Sequence, residues 1–150
     1  MSKKASRVAA LIDSVEAGGH DPHYLAYFDQ FNKGQYYDAH DVLEQLWLIG
    51  GKSSPDYAFY KGLIQLAGAF VHLQKNRPQP AVALFNLAEA NLRRYAPLHK
   101  GICIDRIVDL IADWREYARA GSAVFPPITK KLPSLELPVA DAREANGKTS

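Results

Sequence analysis

Apolar residues recur along most of this chain at intervals of three and four, the repeat that lays a single stripe along a helix. Val8, Leu11, Ile12 and Val15 make such a stripe over residues 2–17, which Gly18 and Gly19 end. Asp21 followed by Pro22 reads as a helix start. The carboxylate caps free N–H groups, and the proline's missing N–H costs nothing in a first turn. This second helix should carry Leu25, Phe28 and Phe31 inward before residues 32–34 break it. A third helix is expected over residues 35–49, stopped by Gly50 and Gly51. Ser54 and Pro55 repeat the cap-and-proline signal and open a long helix, the most apolar of the chain, reaching Lys75 and closing at Asn76. Pro78 and Pro80 mark the next turn, after which Ala81, Leu84, Phe85, Ala88 and Leu92 form a stripe that Pro97 ends. Residues 98–103 read as a loop. Ile104, Ile107, Val108, Ile111 and Trp114 give a last long helix stopping at Gly121. No segment alternates as a half-buried strand does.

Beyond Gly121 the pattern changes, because Pro126, Pro127, Pro133 and Pro138 interrupt an otherwise apolar run and exclude a helix. Phe125 and Ile128 are too apolar to leave in water, so the run should fold back over the helices. The expected fold is therefore all-α: a compact bundle of about six helices with an extended Pro-rich C-terminal tail. One helical domain is expected over residues 1–122, a tail packing on it over 123–140, and disorder over 141–150.

Composition narrows the function. A domain of 150 residues buries about 70% of its unfolded surface, so neither disulfide nor structural metal is needed for stability. Cys103 is the only cysteine, which excludes an internal disulfide and agrees with a reducing compartment. The net charge of +2 gives no field to steer a polyanion. The one basic concentration, Arg93, Arg94, His99, Lys100 and Arg106, lacks a nucleic-acid-binding motif and reads as a solvated helix end. The short apolar run after Lys3, Lys4 and Arg7 is interrupted by Asp13 and Glu16, and no stretch approaches the roughly 20 apolar residues of a membrane span. The chain reads as a cytoplasmic protein with neither nucleic acid nor membrane as partner.

Candidate chemistry lies on the two middle helices. In the first, Tyr36 or Tyr37, His40 and Glu44 share a face, with Trp47 on the next turn. In the second, Lys61, Gln65 and His72 fall four and seven residues apart, with Gly68 leaving room between them. If the stripes face each other, His40, Glu44, Gln65 and His72 converge. Such a cluster would offer a base, an acid and an amide to a small molecule, with Tyr37 and Trp47 beside it. His40, Glu44 and His72 would also suit a divalent metal such as zinc or iron(II), the less favoured use. The competing reading is a satisfied polar network that only fixes helix register. His72 near a helix C-terminus, and Trp47 and Trp114 at stripe positions, all have ordinary structural explanations. No phosphate loop, nucleophile elbow or Cys-x-x-Cys is present.

Phe31-Asn-Lys-Gly-Gln-Tyr-Tyr-Asp-Ala-His-Asp-Val-Leu-Glu-Gln-Leu-Trp47, followed by Gly62-Leu-Ile-Gln-Leu-Ala-Gly-Ala-Phe-Val-His72, resembles the domain of unknown function 309 family over roughly residues 25–95. The resemblance implies an all-helical bundle and no reaction. It places the family's polar signature on His40, Glu44, Gln65 and His72, with Trp47 and Gly62 accompanying. Asp41 stands where the family more often has glutamate, and the turn after His72 departs from the family's Gly-Asn pattern. Gly34-Gln-Tyr36 with Ala39, and the later Ala81 helix, look like tetratricopeptide helix pairs. Their spacing of 42 residues from Ala39 to Ala81 misses the repeat of about 34. Two function classes follow: a small-molecule pocket with His40 and Glu44 placed for acid/base work, or an interaction module, a peptide groove or homodimer, in which the cluster is structural.

Overall fold

Six helices follow one another in the computed structural model, which describes residues 3–13, 19–121, 124–128 and 130–140. They are α1 (Lys3–Asp13), α2 (Pro22–Asn32), α3 (Tyr36–Gly50), α4 (Tyr57–Gln74), α5 (Pro78–Leu92) and α6 (Ile104–Arg119), with one 3₁₀ turn, Arg93–Tyr95, after α5. Asp21 caps α2 as its sequence predicts, its carboxylate accepting the His23 N–H at 2.7 Å. Asn76, with φ of 57°, closes α4 in the left-handed region that asparagine tolerates. The expected continuation of α1 through Val15 to Gly18 lies outside the described residues.

Three expectations are corrected. The fourth helix begins at Tyr57 rather than at Ser54, because the Ser54 hydroxyl accepts the Asp56 N–H at 3.2 Å and holds residues 54–56 in a turn. The fifth begins at Pro78. Its two prolines therefore occupy the first turn, where backbone N–H groups have no helical partner to lose. The loop at 98–103 is a hairpin instead: β1 (Leu98–His99) pairs antiparallel with β2 (Ile102–Cys103). Its central residues, Lys100 and Gly101, have φ of 45° and 78°, the two positive values that a tight hairpin turn requires. Strands of two residues are too short to show alternation.

The core forms around α4, which packs between α3 and α5. The Phe70 ring lies 5.0–5.4 Å from those of Phe31, Tyr36, Phe85 and Trp114. At Gly62 the α4–α5 approach is so close that an added Cβ would sit 2.8 Å from the Leu92 side chain. In α2, Tyr24 and Tyr27 are buried alongside Phe28 and Phe31, while Leu25, expected inward, is half-buried. The tyrosines can go inside because each hydroxyl donates to a carbonyl, Tyr24 to Lys100 at 2.8 Å and Tyr27 to Leu63 at 2.6 Å. Arg115 of α6 bonds Glu89 of α5 at 3.1 Å. Burial would raise the Glu89 pKa, but hydrogen bonds from Arg93 and Arg115 prevail and hold it below its ordinary value.

Past α6 the described residues run without regular structure across the bundle. Phe125 meets Tyr36, Phe70 and Trp114, and Leu135 is buried. The Asn32 side chain clips Leu135 from both sides, donating to its carbonyl at 2.9 Å and accepting its N–H at 2.7 Å. The Val139 N–H donates to the Gly101 carbonyl at 2.9 Å, an approach that leaves no room for a Cβ on Gly101. Ile128, expected under cover, is 90% exposed. Residues 141–150, expected to be disordered, lie outside the described residues. Among the described residues no helix is long and apolar enough to cross a membrane.

Candidate functional site

The polar face of α3 divides between two neighbours. On one flank it meets α1, whose Lys4 and Arg7 reach its carboxylates. Lys4 Nζ bonds Glu44 at 2.7 Å and lies 3.5 Å from Asp41, and Arg7 pairs with Asp38 at 3.2 Å and with Asp41. The Asp41 side chain is 2% exposed. Its carboxylate is thus kept in the interior by two cations and by His40 Nδ1 at 3.1 Å. The hydrogen bond to Glu44 raises the Lys4 pKa, against the opposing effect of partial burial. Two cations face three carboxylates here, and His40 Nε2, 3.6 Å from Glu44, stands between them.

On the other flank α3 faces α4. The two helices run antiparallel, since Trp47 near the end of α3 packs on Tyr57 at the start of α4, ring centroids 5.2 Å apart. A cleft of about 380 Å³ opens between them, closed at the back by Leu84 of α5. Its wall holds Tyr37, His40, Gln65 and His72 among Ile64, Gly68 and Val71, with Lys75 at the rim. Gly68 and Leu84 are in close contact, 3.2 Å from an added Cβ to Cδ1. Gln65 is oriented by Asn91, whose amide donates to its Oε1 at 2.8 Å. Tyr37 stacks on the His40 ring at 6.1 Å.

His72 is the least satisfied of these groups. Among the described residues its buried Nδ1 has no hydrogen-bond partner, a condition that costs roughly 1–3 kcal/mol. Its pKa is lowered, first by burial and then by the positive charges of Arg77 and Lys75. The imidazole is therefore neutral near pH 7, with one nitrogen to donate and one to accept.

The residues expected to converge are thus brought together only in part. Tyr37, His40, Gln65 and His72 share the cleft, whereas Glu44 turns to Lys4 on the α1 flank. Trp47 lies against Tyr57 and does not line the cleft, and Tyr36 is a core residue stacked on Phe70. His40, Glu44 and His72 do not form a metal-ligating group. Among the described residues no three His, Cys, Asp or Glu side chains gather closely enough to hold an ion. The pairing of Asp41 with Lys4 and Arg7 escapes sequence reasoning. Asp41 and Arg7 are 34 residues apart, and no local spacing rule connects an N-terminal cation to a carboxylate two helices later.

A second cavity of about 360 Å³ lies between α6 and the tail, lined by Ile102, Cys103, Arg106, Ile107 and Glu136 among others. Arg106 and Glu136 pair with each other there, so its charged groups are already matched.

The described residues thus make a small helical bundle with one short hairpin, and between two antiparallel helices lies a mostly apolar cleft that carries a few polar groups. A family model described as Domain of unknown function (DUF309) matches residues 24–92, and over that stretch the chain is similar to this family. The match spans α3, α4 and α5 and so contains the whole cleft, while α1, the hairpin, α6 and the tail lie outside it. No curated protein and no solved structure matches the chain.

Proposed function

We propose that the chain binds a small molecule in the cleft between α3 and α4. The observation that carries this reading is the cleft itself: about 380 Å³, within the range of roughly 300–1,000 Å³ typical of ligand pockets, mostly apolar and with a few polar groups converging on it. In this reading the polar residues have separate duties. Asp41 and Glu44 hold α1 against α3, and Tyr37, His40, Gln65 and His72 orient a ligand.

A fragment screen followed by amide chemical shifts tests it. Fragments that bind should move the resonances of Gly68, Val71 and His72, and Gly68→Leu, which fills the space beside Leu84, should abolish those shifts. A diverse library that leaves these resonances unmoved at millimolar concentration would sink the proposal. The interaction-module reading has Leu48 and Ile49 in its favour, 63% and 78% exposed on the last turn of α3. It predicts a melting temperature that rises with protein concentration.

A further inference from the structure

The cleft has a sign as well as a shape. Among the described residues no carboxylate lines it. The α3 acids Asp41 and Glu44 are engaged by Arg7 and Lys4 on the opposite flank and by His40, which itself stands in the cleft wall. Lys75 stands at the rim, and because α3 and α4 are antiparallel it lies at the same end as Tyr37 and His72. Arg77 follows two residues later, and its charge and that of Lys75 both act on His72.

Hydrogen-bonding capacity points the same way. The Gln65 carbonyl oxygen is occupied by Asn91, which leaves the Gln65 NH₂ to donate. An ammonium only donates, and a tyrosine hydroxyl is free to do so. His72 Nδ1 is buried and has no partner among the described residues. The other face of the cleft, Ile64, Val71 and Leu84 around Gly68, offers only apolar contact.

We infer that the occupant is an amphiphilic monocarboxylate, its head at the Tyr37, His72 and Lys75 end and its apolar body along Ile64, Gly68 and Val71. This rests on the cleft being a ligand site. A carboxylate accepts hydrogen bonds and carries the charge that Lys75 complements, which an alcohol does only in part and an alkylammonium not at all.

The test compares octanoate, 1-octanol and octylamine on the full chain at pH 7, followed by amide shifts. Octanoate should move Gly68, Val71 and His72 with an affinity at least tenfold above that of octanol, and octylamine should not bind there. Lys75→Gln, at an exposed position, should weaken octanoate about fivefold and leave octanol unchanged. Octanoate should also raise the His72 pKa, read from its ring-proton shifts, because a nearby anion favours the imidazolium. Octanol binding as tightly as octanoate, or an unchanged octanoate affinity in Lys75→Gln, overturns the carboxylate assignment while leaving a small-molecule site standing. If none of the three probes reaches the cleft, the assignment fails. If the fragment library also fails, the site fails with it.

Discussion

Asp41 is the one fully buried charged side chain among the described residues, and its neighbours decide what that burial costs. Removing Arg7 leaves the anion in place with weaker support from Lys4 and His40, whereas Asp41→Asn removes the charge itself. Arg7→Ala should therefore cost about 2 kcal/mol in the native chain and under about 1 kcal/mol when Asp41→Asn is already present. Urea unfolding of the two single variants and the double variant measures this coupling; equal costs in both backgrounds would refute it. His72 makes a prediction about pH. Its folded pKa lies below the ordinary 6.5, so the unfolded chain takes up its proton first as pH falls. Stability is complete above that value and declines as pH drops from 6.5 toward the lower folded pKa. In His72→Gln the decline over that window should be shallower, as urea midpoints at about pH 7.5 and about pH 5.5 would show.

Between elements, contact distance separates two glycines of the same helix. Alanine in place of a helical glycine gains up to about 1 kcal/mol from propensity. At Gly62 the new methyl meets Leu92 Cγ at 2.8 Å and Asn91 Cβ at 3.2 Å, and overpacking of that kind costs about 1–3 kcal/mol. At Gly68 it meets only the end of Leu84. Gly62→Ala should therefore lower Tm while Gly68→Ala leaves it nearly unchanged, and a calorimetric scan of the two variants decides the matter. The same elements show what the sequence made legible. Stripe periodicity placed the helices, and proline and glycine placed most of their ends, because those signals are local. It could also put His40 and Glu44 on one face of α3, but not say which neighbour each would meet. Lys4 and Arg7 stand out in the sequence only as cations before a short apolar run, since their partners are 31 to 40 residues away and no spacing rule links them. The division of Tyr36 to the core and Tyr37 to the cleft likewise follows from how α3 is rotated against α2 and α4, which tertiary packing sets.

Across the whole molecule, the tail joins regions that are far apart in sequence. Asn32 and Leu135 are 103 residues apart, and His20 and Val139 are 119 apart. Asn32→Ala should remove both bonds to Leu135, lower stability by about 1–2 kcal/mol and speed hydrogen exchange at the Leu135 and Val139 amides, leaving that of α4 unchanged until global unfolding. Protection that persists at Leu135 would show that apolar contact alone holds the tail. Closing so long a loop is entropically costly and is repaid only when both ends are already ordered. During synthesis, the α2 surface that receives Leu135 is made about a hundred residues before its cover. Until that stretch has left the ribosome, the rings of Tyr36, Phe70 and Trp114 that pack on Phe125 lack this part of their cover.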